Sequence, residues 1–76
     1  MKHQPIDFFE YCTINENMRW IEEIIAAQIE TRDGLDVAYL IDAVEEEAQK
    51  DNVELTGGND PEAIEAFFAE IYSEVR

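Results

Sequence analysis

The chain has 76 residues and a formal net charge of −14, from 19 acidic and 5 basic side chains. Direct nucleic-acid binding is not expected, because phosphate contacts need clustered lysine and arginine. Adhesion to a membrane of anionic lipid is disfavoured for the same reason. Since 46% of the residues are hydrophobic and 11% aromatic, the chain is expected to fold, as one domain over residues 1–76.

Neither a secretory signal nor a membrane span is apparent in the sequence. The N-terminus lacks an apolar h-region, and no apolar run approaches the roughly 20 residues of a transmembrane helix. Cys12 is the only cysteine and fits a reducing compartment. These features predict a soluble, cytoplasmic protein. A chain this short buries only about 60% of its unfolded surface, so association into a homodimer is a further expectation.

The first predicted elements are two helices. Pro5 suits the first position of a short helix at about residues 6–12, because a helix leaves that N–H unpaired. Thr13 and Glu16 then match a capping box, with Thr13 as the N-cap of a second helix at about 14–31.

The apolar stripe of the second helix is wide. Its main members recur at helical spacing: Ile14, Met18, Ile21, Ile25 and Ile29. Trp20 and Ile24 widen the stripe to about half the circumference of the helix. A face this wide predicts a central helix that packs on both flanks, or one that also contacts another protein.

A third helix is predicted at about residues 35–50, with Asp33 or Asp36 as its cap. Its core stripe combines aliphatic residues at helical spacing: Val37, Leu40, Ile41, Val44 and Ala48. Residues 53–55 alternate briefly between apolar and polar, which would suit a short extended segment before the Gly57–Gly58 turn.

The last helix has the clearest boundaries. Asp60 is a good N-cap, Pro61 suits the first helical position, and an apolar stripe then continues over residues 61–75. The periodicities together predict an all-α fold, a small bundle of three main helices plus a short N-terminal helix.

Acidic residues outnumber basic ones on every predicted helix and are densest on the third. The residues predicted to bind a partner are Tyr39, Asp42, Glu45, Glu46 and Glu47 in the third helix, and Glu22, Glu23 and Glu30 in the second. Residues three or four apart on a helix lie about 5–6 Å apart, which is comparable with phosphate spacing along a nucleic-acid strand. The alternative is a solubilising acidic face with no partner.

No pattern specifies a metal, a cofactor or a reaction. His3 could chelate copper together with a free N-terminus, although an incidental histidine is the more ordinary interpretation. Cys12 lies on an apolar helix face without a neighbouring histidine, as a buried cysteine would. Gly57–Gly58 lacks the lysine and serine or threonine of a phosphate-binding loop. The sequence therefore predicts no enzyme and no cofactor.

In its size, charge, single unpaired cysteine and acid-coated helices, the chain is similar to the small acidic inhibitors of phages and mobile elements. That class includes anti-CRISPR and DNA-mimic proteins. The resemblance implies a non-catalytic protein that binds a basic surface of a nucleic-acid-handling complex, in the cytoplasm of a host cell. It covers the whole chain without a shared motif, so it assigns no individual residue.

The sequence thus favours an inhibitor or regulator whose acidic face mimics nucleic acid. The expected partner is a basic nucleic-acid-binding protein or ribonucleoprotein complex. The alternative is an antitoxin-like or adaptor module that docks through the apolar surface around Trp20 and Ile24.

Overall fold

The computed structural model describes residues 4–32 and 34–75, without the side chains of Gln4 and Arg32. The elements in chain order are β1 (Gln4–Asp7), α1 (Phe8–Cys12), α2 (Asn15–Arg32), α3 (Val37–Lys50), β2 (Val53–Thr56) and α4 (Pro61–Val75). The mostly helical fold and its three main helices are confirmed, with boundaries within two residues of those predicted. A strictly all-α fold is wrong, because β1 and β2 form a two-stranded parallel sheet.

The prediction of a helix at about 6–12 is wrong at its start. Residues 4–7 extend along β2, with Ile6 opposite Leu55, and the helix begins only at Phe8. Asp7 is its N-cap, and its Oδ2 accepts the N–H of Phe9 at 3.0 Å. Pro5 therefore lies in a strand, whose pairing partner is distant in sequence.

The extended segment predicted at residues 53–55 is confirmed as part of β2. Val53 and Leu55 are half-buried whereas the alternate positions are exposed. Beyond the strand, Gly57 and Gly58 both have positive φ, near 70°. Any other residue would be strained at these φ values, and a Cβ on Gly57 would also lie 2.7 Å from Oδ1 of Asp7 at the start of α1, so this turn favours glycine.

The helix caps agree only in part with the sequence. Thr13 is not an N-cap: it is the C-cap of α1, and its hydroxyl donates to the carbonyl of Glu10. Asp36 caps α3 by accepting the N–H of Tyr39 at 3.1 Å, whereas the alternative cap, Asp33, lies outside the described residues. Asp60 caps α4 as predicted, since its Oδ1 accepts the N–H of Glu62.

A single hydrophobic cluster joins the four helices. Its buried members are Phe8, Tyr11, Cys12, Ile21, Ile25, Leu40, Val44, Ala48, Ile64, Phe68 and Ile71. Helix α4 packs mainly on α2, while β2 lies against α3. Phe8, Phe9, Phe67 and Phe68 form a closed set of edge-to-face contacts, which fixes α1 on α4. Ile14, which the stripe of the second helix includes, is instead exposed.

Candidate functional site: the acid face of α3 and two grooves beside α2

A buried side chain of α2, Gln28, bonds to the connection that leads into α3. Its Oε1 accepts the backbone N–H of Asp36 at 2.9 Å, and its Nε2 donates to the carbonyl of Asp36 at 3.4 Å. The Asp36 carboxylate in turn caps α3 at Tyr39. Sequence reasoning missed Gln28. The sequence feature that indicates a buried role for Gln28 is its place on the core stripe of α2, three residues after Ile25 and seven after Ile21.

The outer surface of α3 carries four of the residues predicted to bind a partner. Tyr39, Asp42, Glu45 and Glu46 are all exposed, and we call them the acid face. At about 100° per residue, Tyr39, Asp42 and Glu46 lie within one narrow row opposite the buried Leu40 and Val44. Among the side chains that the structure describes, none forms an ion pair with the carboxylates of the acid face. This surface of α3 therefore combines exposed negative charge with one aromatic ring at its end.

Glu47 has a different environment from the acid face. It is half-buried and borders a cavity of about 610 Å³, which we call the Trp20 groove. The groove combines apolar, aromatic and charged walls: Ile6, Tyr11, Ile14, Glu16, Asn17, Arg19, Trp20, Glu47, Asp51 and Val53. Three acids and one base thus line a concavity whose volume falls in the range of small-ligand sites, about 300–1,000 Å³.

A chain of hydrogen bonds fixes the wall of the Trp20 groove. The Tyr11 hydroxyl donates to Oδ2 of Asp51 at 2.8 Å. Asn17, which is buried, donates from Nδ2 to the carbonyl of Tyr11 and accepts the indole N–H of Trp20 at 3.0 Å. Burial, and then the Asp51 carboxylate, raise the pKa of Tyr11 well above its usual range, so Tyr11 remains a neutral donor. Sequence reasoning missed Tyr11, Asn17 and Asp51.

A second, smaller groove lies beside the next turn of α2. It has a volume of about 270 Å³ and is lined by Ile24, Ala27, Gln28, Thr31 and Tyr39. Tyr39, which the sequence placed only among acids, therefore also borders Ile24 of the predicted apolar docking surface. Trp20 and Ile24 are one turn apart on α2 but line different grooves. The two surfaces that the sequence offered as alternatives adjoin one another at Tyr39.

The acids predicted on α2 are not part of this arrangement. Glu22, Glu23 and Glu30 are exposed, but none lines either groove. At about 100° per residue, Glu22 lies on the flank of α2 opposite Trp20 and Ile24. The structure therefore groups Tyr39 with Asp42 and Glu46 on α3, whereas the three α2 acids line neither groove.

Cys12 lacks the surroundings of a catalytic nucleophile. Its side chain is fully buried, and burial together with the negative charge of Asp7 raises the pKa of the thiol to about 12. A reactive cysteine needs a lowered pKa and access to solvent. Among the described residues, no three acidic, cysteine or histidine side chains are placed to hold a metal ion. The copper alternative at His3 lies outside those residues.

No protein-family model, curated protein or solved structure matches this chain. Within the part of the chain that the structure describes, no helix has both the length and the apolar character to cross a bilayer. The candidate site is thus defined by this chain's own residues: an exposed acid face that ends at Tyr39, a small groove between Tyr39 and α2, and the larger Trp20 groove.

Proposed function

We propose that this protein is a non-catalytic, anti-CRISPR-like inhibitor or regulator of a nucleic-acid-binding partner. Its acid face binds the basic surface of that partner, a protein or ribonucleoprotein complex, in place of a nucleic-acid backbone. The observation that carries the proposal is the exposed row of Tyr39, Asp42 and Glu46, which no ion pair neutralises among the described residues.

The acid row is attached to a helix that is fixed in the core. Leu40 and Val44 anchor the opposite side of α3, so the positions that carry the acidic side chains keep their spacing. Neighbouring positions in such a row are about 5–6 Å apart. A basic groove would meet this array much as it meets successive phosphates. Long-range attraction would accelerate association and make it sensitive to salt.

Tyr39 supplies what a purely charged surface lacks. Its side chain is 55% exposed and stands at the end of the acid row. Tyrosine is enriched at binding hot spots, and its ring can stack on an arginine guanidinium. A tyrosine beside carboxylates therefore favours a partner rich in arginine.

A second candidate function is an antitoxin-like or adaptor module that docks through apolar surface at Trp20 and Ile24. It is favoured by the groove that joins Ile24 to the exposed Tyr39. Ionic strength separates the two functions. Binding through the acid face should weaken steeply as salt is raised, whereas apolar docking should change little.

The test compares two charge reversals of equal size. Immobilised protein would capture partners from a native host lysate at low salt, and the proteins eluted by salt would be purified. The combined Asp42→Lys and Glu46→Lys variant should no longer block nucleic-acid binding by the captured partner. The matched control, Glu70→Lys with Glu74→Lys, changes two exposed acids with the same spacing on α4.

The control should inhibit nearly as well as the unchanged protein. Equal loss in both variants would mean that net charge alone is responsible, and unchanged inhibition in both would remove α3 from the interface. Circular dichroism of each variant should show unchanged helix content, because all four positions are exposed. An effect of the α3 variant therefore cannot be ascribed to unfolding.

A further inference from the structure

We infer that the Trp20 groove receives an arginine side chain of the partner, beside the helix that carries the acid face. This inference rests on the proposed function and adds to it a site and a residue type. The groove and the acid face share α3: Glu47 lines the groove and follows Glu46 of the face in sequence, about 100° further round the helix. A basic segment that crosses α3 from the acid face would meet a cavity of about 610 Å³.

Charge favours a cation in the groove. Glu16, Glu47 and Asp51 line it, against Arg19 as the one basic residue in its wall over residues 4–32 and 34–75. Within that part of the chain, the Glu47 carboxylate has neither a hydrogen-bond donor nor an ion-pair partner, although it is half-buried. An incoming cation would give the Glu47 carboxylate an ion-pair partner.

The Asp51 carboxylate has an oxygen that can accept a second hydrogen-bond donor. Its Oδ2 accepts the Tyr11 hydroxyl, which holds the carboxylate at the edge of the groove. No donor contacts its other oxygen among the described residues. A guanidinium presents several N–H groups in a plane and pairs with carboxylates through two of them.

The remaining walls suit arginine better than lysine or a metal ion. Trp20 is held in place by Asn17, and Ile14 leaves 42% of its surface exposed at the groove. A guanidinium is weakly hydrated and stacks on aromatic rings, whereas an ammonium is compact and strongly hydrated. Metal ions favour converging ligand atoms, and no such set occurs over the described residues. The apolar walls add a place for an aliphatic neighbour of the arginine.

The test uses the single tryptophan of the chain, whose indole N–H gives one assignable NMR signal. The probe is the peptide acetyl-Leu-Arg-Leu-amide at low salt. Its match replaces arginine with citrulline, which keeps the shape and removes the charge. The arginine peptide should shift the Trp20 indole signal to saturation, and the citrulline peptide should bind more weakly by about threefold or more.

Asp51→Asn is the variant that tests the groove, because asparagine can still accept the Tyr11 hydroxyl. It should weaken binding of the arginine peptide by about threefold, the size expected from losing one partly exposed ion pair. Glu70→Gln removes one exposed acid from α4 and should leave peptide binding unchanged. A loss of binding in Asp51→Asn with an unchanged control supports the inference.

Three results would overturn the inference. The arginine and citrulline peptides could bind with equal affinity, the indole signal of Trp20 could fail to shift with either, or Asp51→Asn could bind the arginine peptide as tightly as the unchanged protein does. Signals from Asp42 and Glu46 that move while the indole signal stays still would leave the proposed function intact. Conversely, Asp42→Lys with Glu46→Lys could leave partner inhibition unchanged while the indole still responds to arginine. That combination would reject the proposed function alone, so the two failures are distinguishable.

Discussion

Two adjacent core residues, Tyr11 and Cys12, are titratable groups held in their neutral forms. Tyr11 is 2% exposed and Cys12 is fully buried, and burial is the main reason that the pKa of each is raised. Negative charge adds to the effect, from Asp51 at Tyr11 and from Asp7 at Cys12. At neutral pH Tyr11 therefore packs in the core and donates a hydrogen bond to Asp51, while Cys12 is a buried apolar side chain.

The raised pKa values predict a loss of stability at alkaline pH. In the unfolded chain a cysteine ionises near pH 8.5 and a tyrosine near pH 10, each approximately. In the folded protein the pKa of Cys12 is about 12. The stabilisation from Cys12 is thus complete below about pH 8.5 and is lost as the pH rises towards 12, because only the unfolded state releases the proton.

Urea unfolding between pH 7 and 11 measures this loss, with Cys12→Ala as the comparison. The variant should be less stable at every pH, since it leaves a cavity in the core. Its free energy of unfolding should nevertheless fall less steeply than that of the unchanged protein from about pH 8.5. The decline that begins near pH 10 should remain, because Tyr11 is still present. Parallel curves for the two proteins would contradict the burial of a neutral thiol.

At the scale of the elements, the site depends on how α2 and α3 are joined. Gln28 bonds both the N–H and the carbonyl of Asp36, one residue before α3 begins. These bonds set the path of the chain into the turn that carries Tyr39, which borders Ile24 on the facing helix. We therefore expect the Gln28 bonds to help position Tyr39 beside the groove that Ile24 lines.

Gln28→Ala should destabilise the protein by about 1–3 kcal/mol, because it removes the buried amide that pairs with the N–H of Asp36, while the carbonyl of Asp36 still accepts the N–H of Leu40. It should also weaken partner inhibition more than its effect on folding explains, since Tyr39 loses its support. Gln49→Ala, at an exposed position on α3, is the matched control and should change stability by less than about 0.5 kcal/mol. Thermal unfolding of both variants measures the difference, and similar melting temperatures would show that the Gln28 bonds contribute little.

How far the sequence predicts each element depends on how local its determinants are. Helix α4 spans Pro61–Val75, as predicted, because Asp60 and Pro61 mark its start and its stripe lies within the same 15 residues. Strand β1 was missed because its pairing partner begins at Val53, far along the chain. A local signal was nevertheless present, since Asp7 followed by Glu10 three residues later is a typical helix start.

The candidate site also combines features that local sequence determines with features that depend on residues far apart in the chain. The i, i+3, i+7 row of Tyr39, Asp42 and Glu46 follows from helical spacing alone and could be predicted. The Trp20 groove could not, because its central hydrogen bond joins Tyr11 to a carboxylate 40 residues away. The sequence alone also does not distinguish Glu46, which is exposed, from Glu47, which is half-buried and lines that groove, because the two are adjacent glutamates.

At the scale of the whole molecule, a net charge of −14 on 76 residues opposes folding. Like charges on one compact body repel, and the repulsion is smaller in the expanded unfolded chain. Salt screens these interactions, with a Debye length that falls from about 30 Å at 0.01 M to about 3 Å at 1 M. The same screening weakens any complex that the acid face forms with a basic partner. Stability and binding should therefore respond to salt in opposite directions.

Raising NaCl from about 0.01 M to about 0.5 M should increase the melting temperature by several degrees, which corresponds to about 1 kcal/mol for a chain of this size. Over the same range, the affinity for the partner should fall. The combined Asp42→Lys and Glu46→Lys variant should melt higher than the unchanged protein at low salt, because it carries less net charge. Its melting temperature should also depend less on salt. If the variant is more stable but fails to inhibit the partner, the loss of inhibition results from the changed acid face and not from unfolding. If the melting temperature of the unchanged protein instead falls when NaCl is added, self-repulsion is not the dominant charge effect.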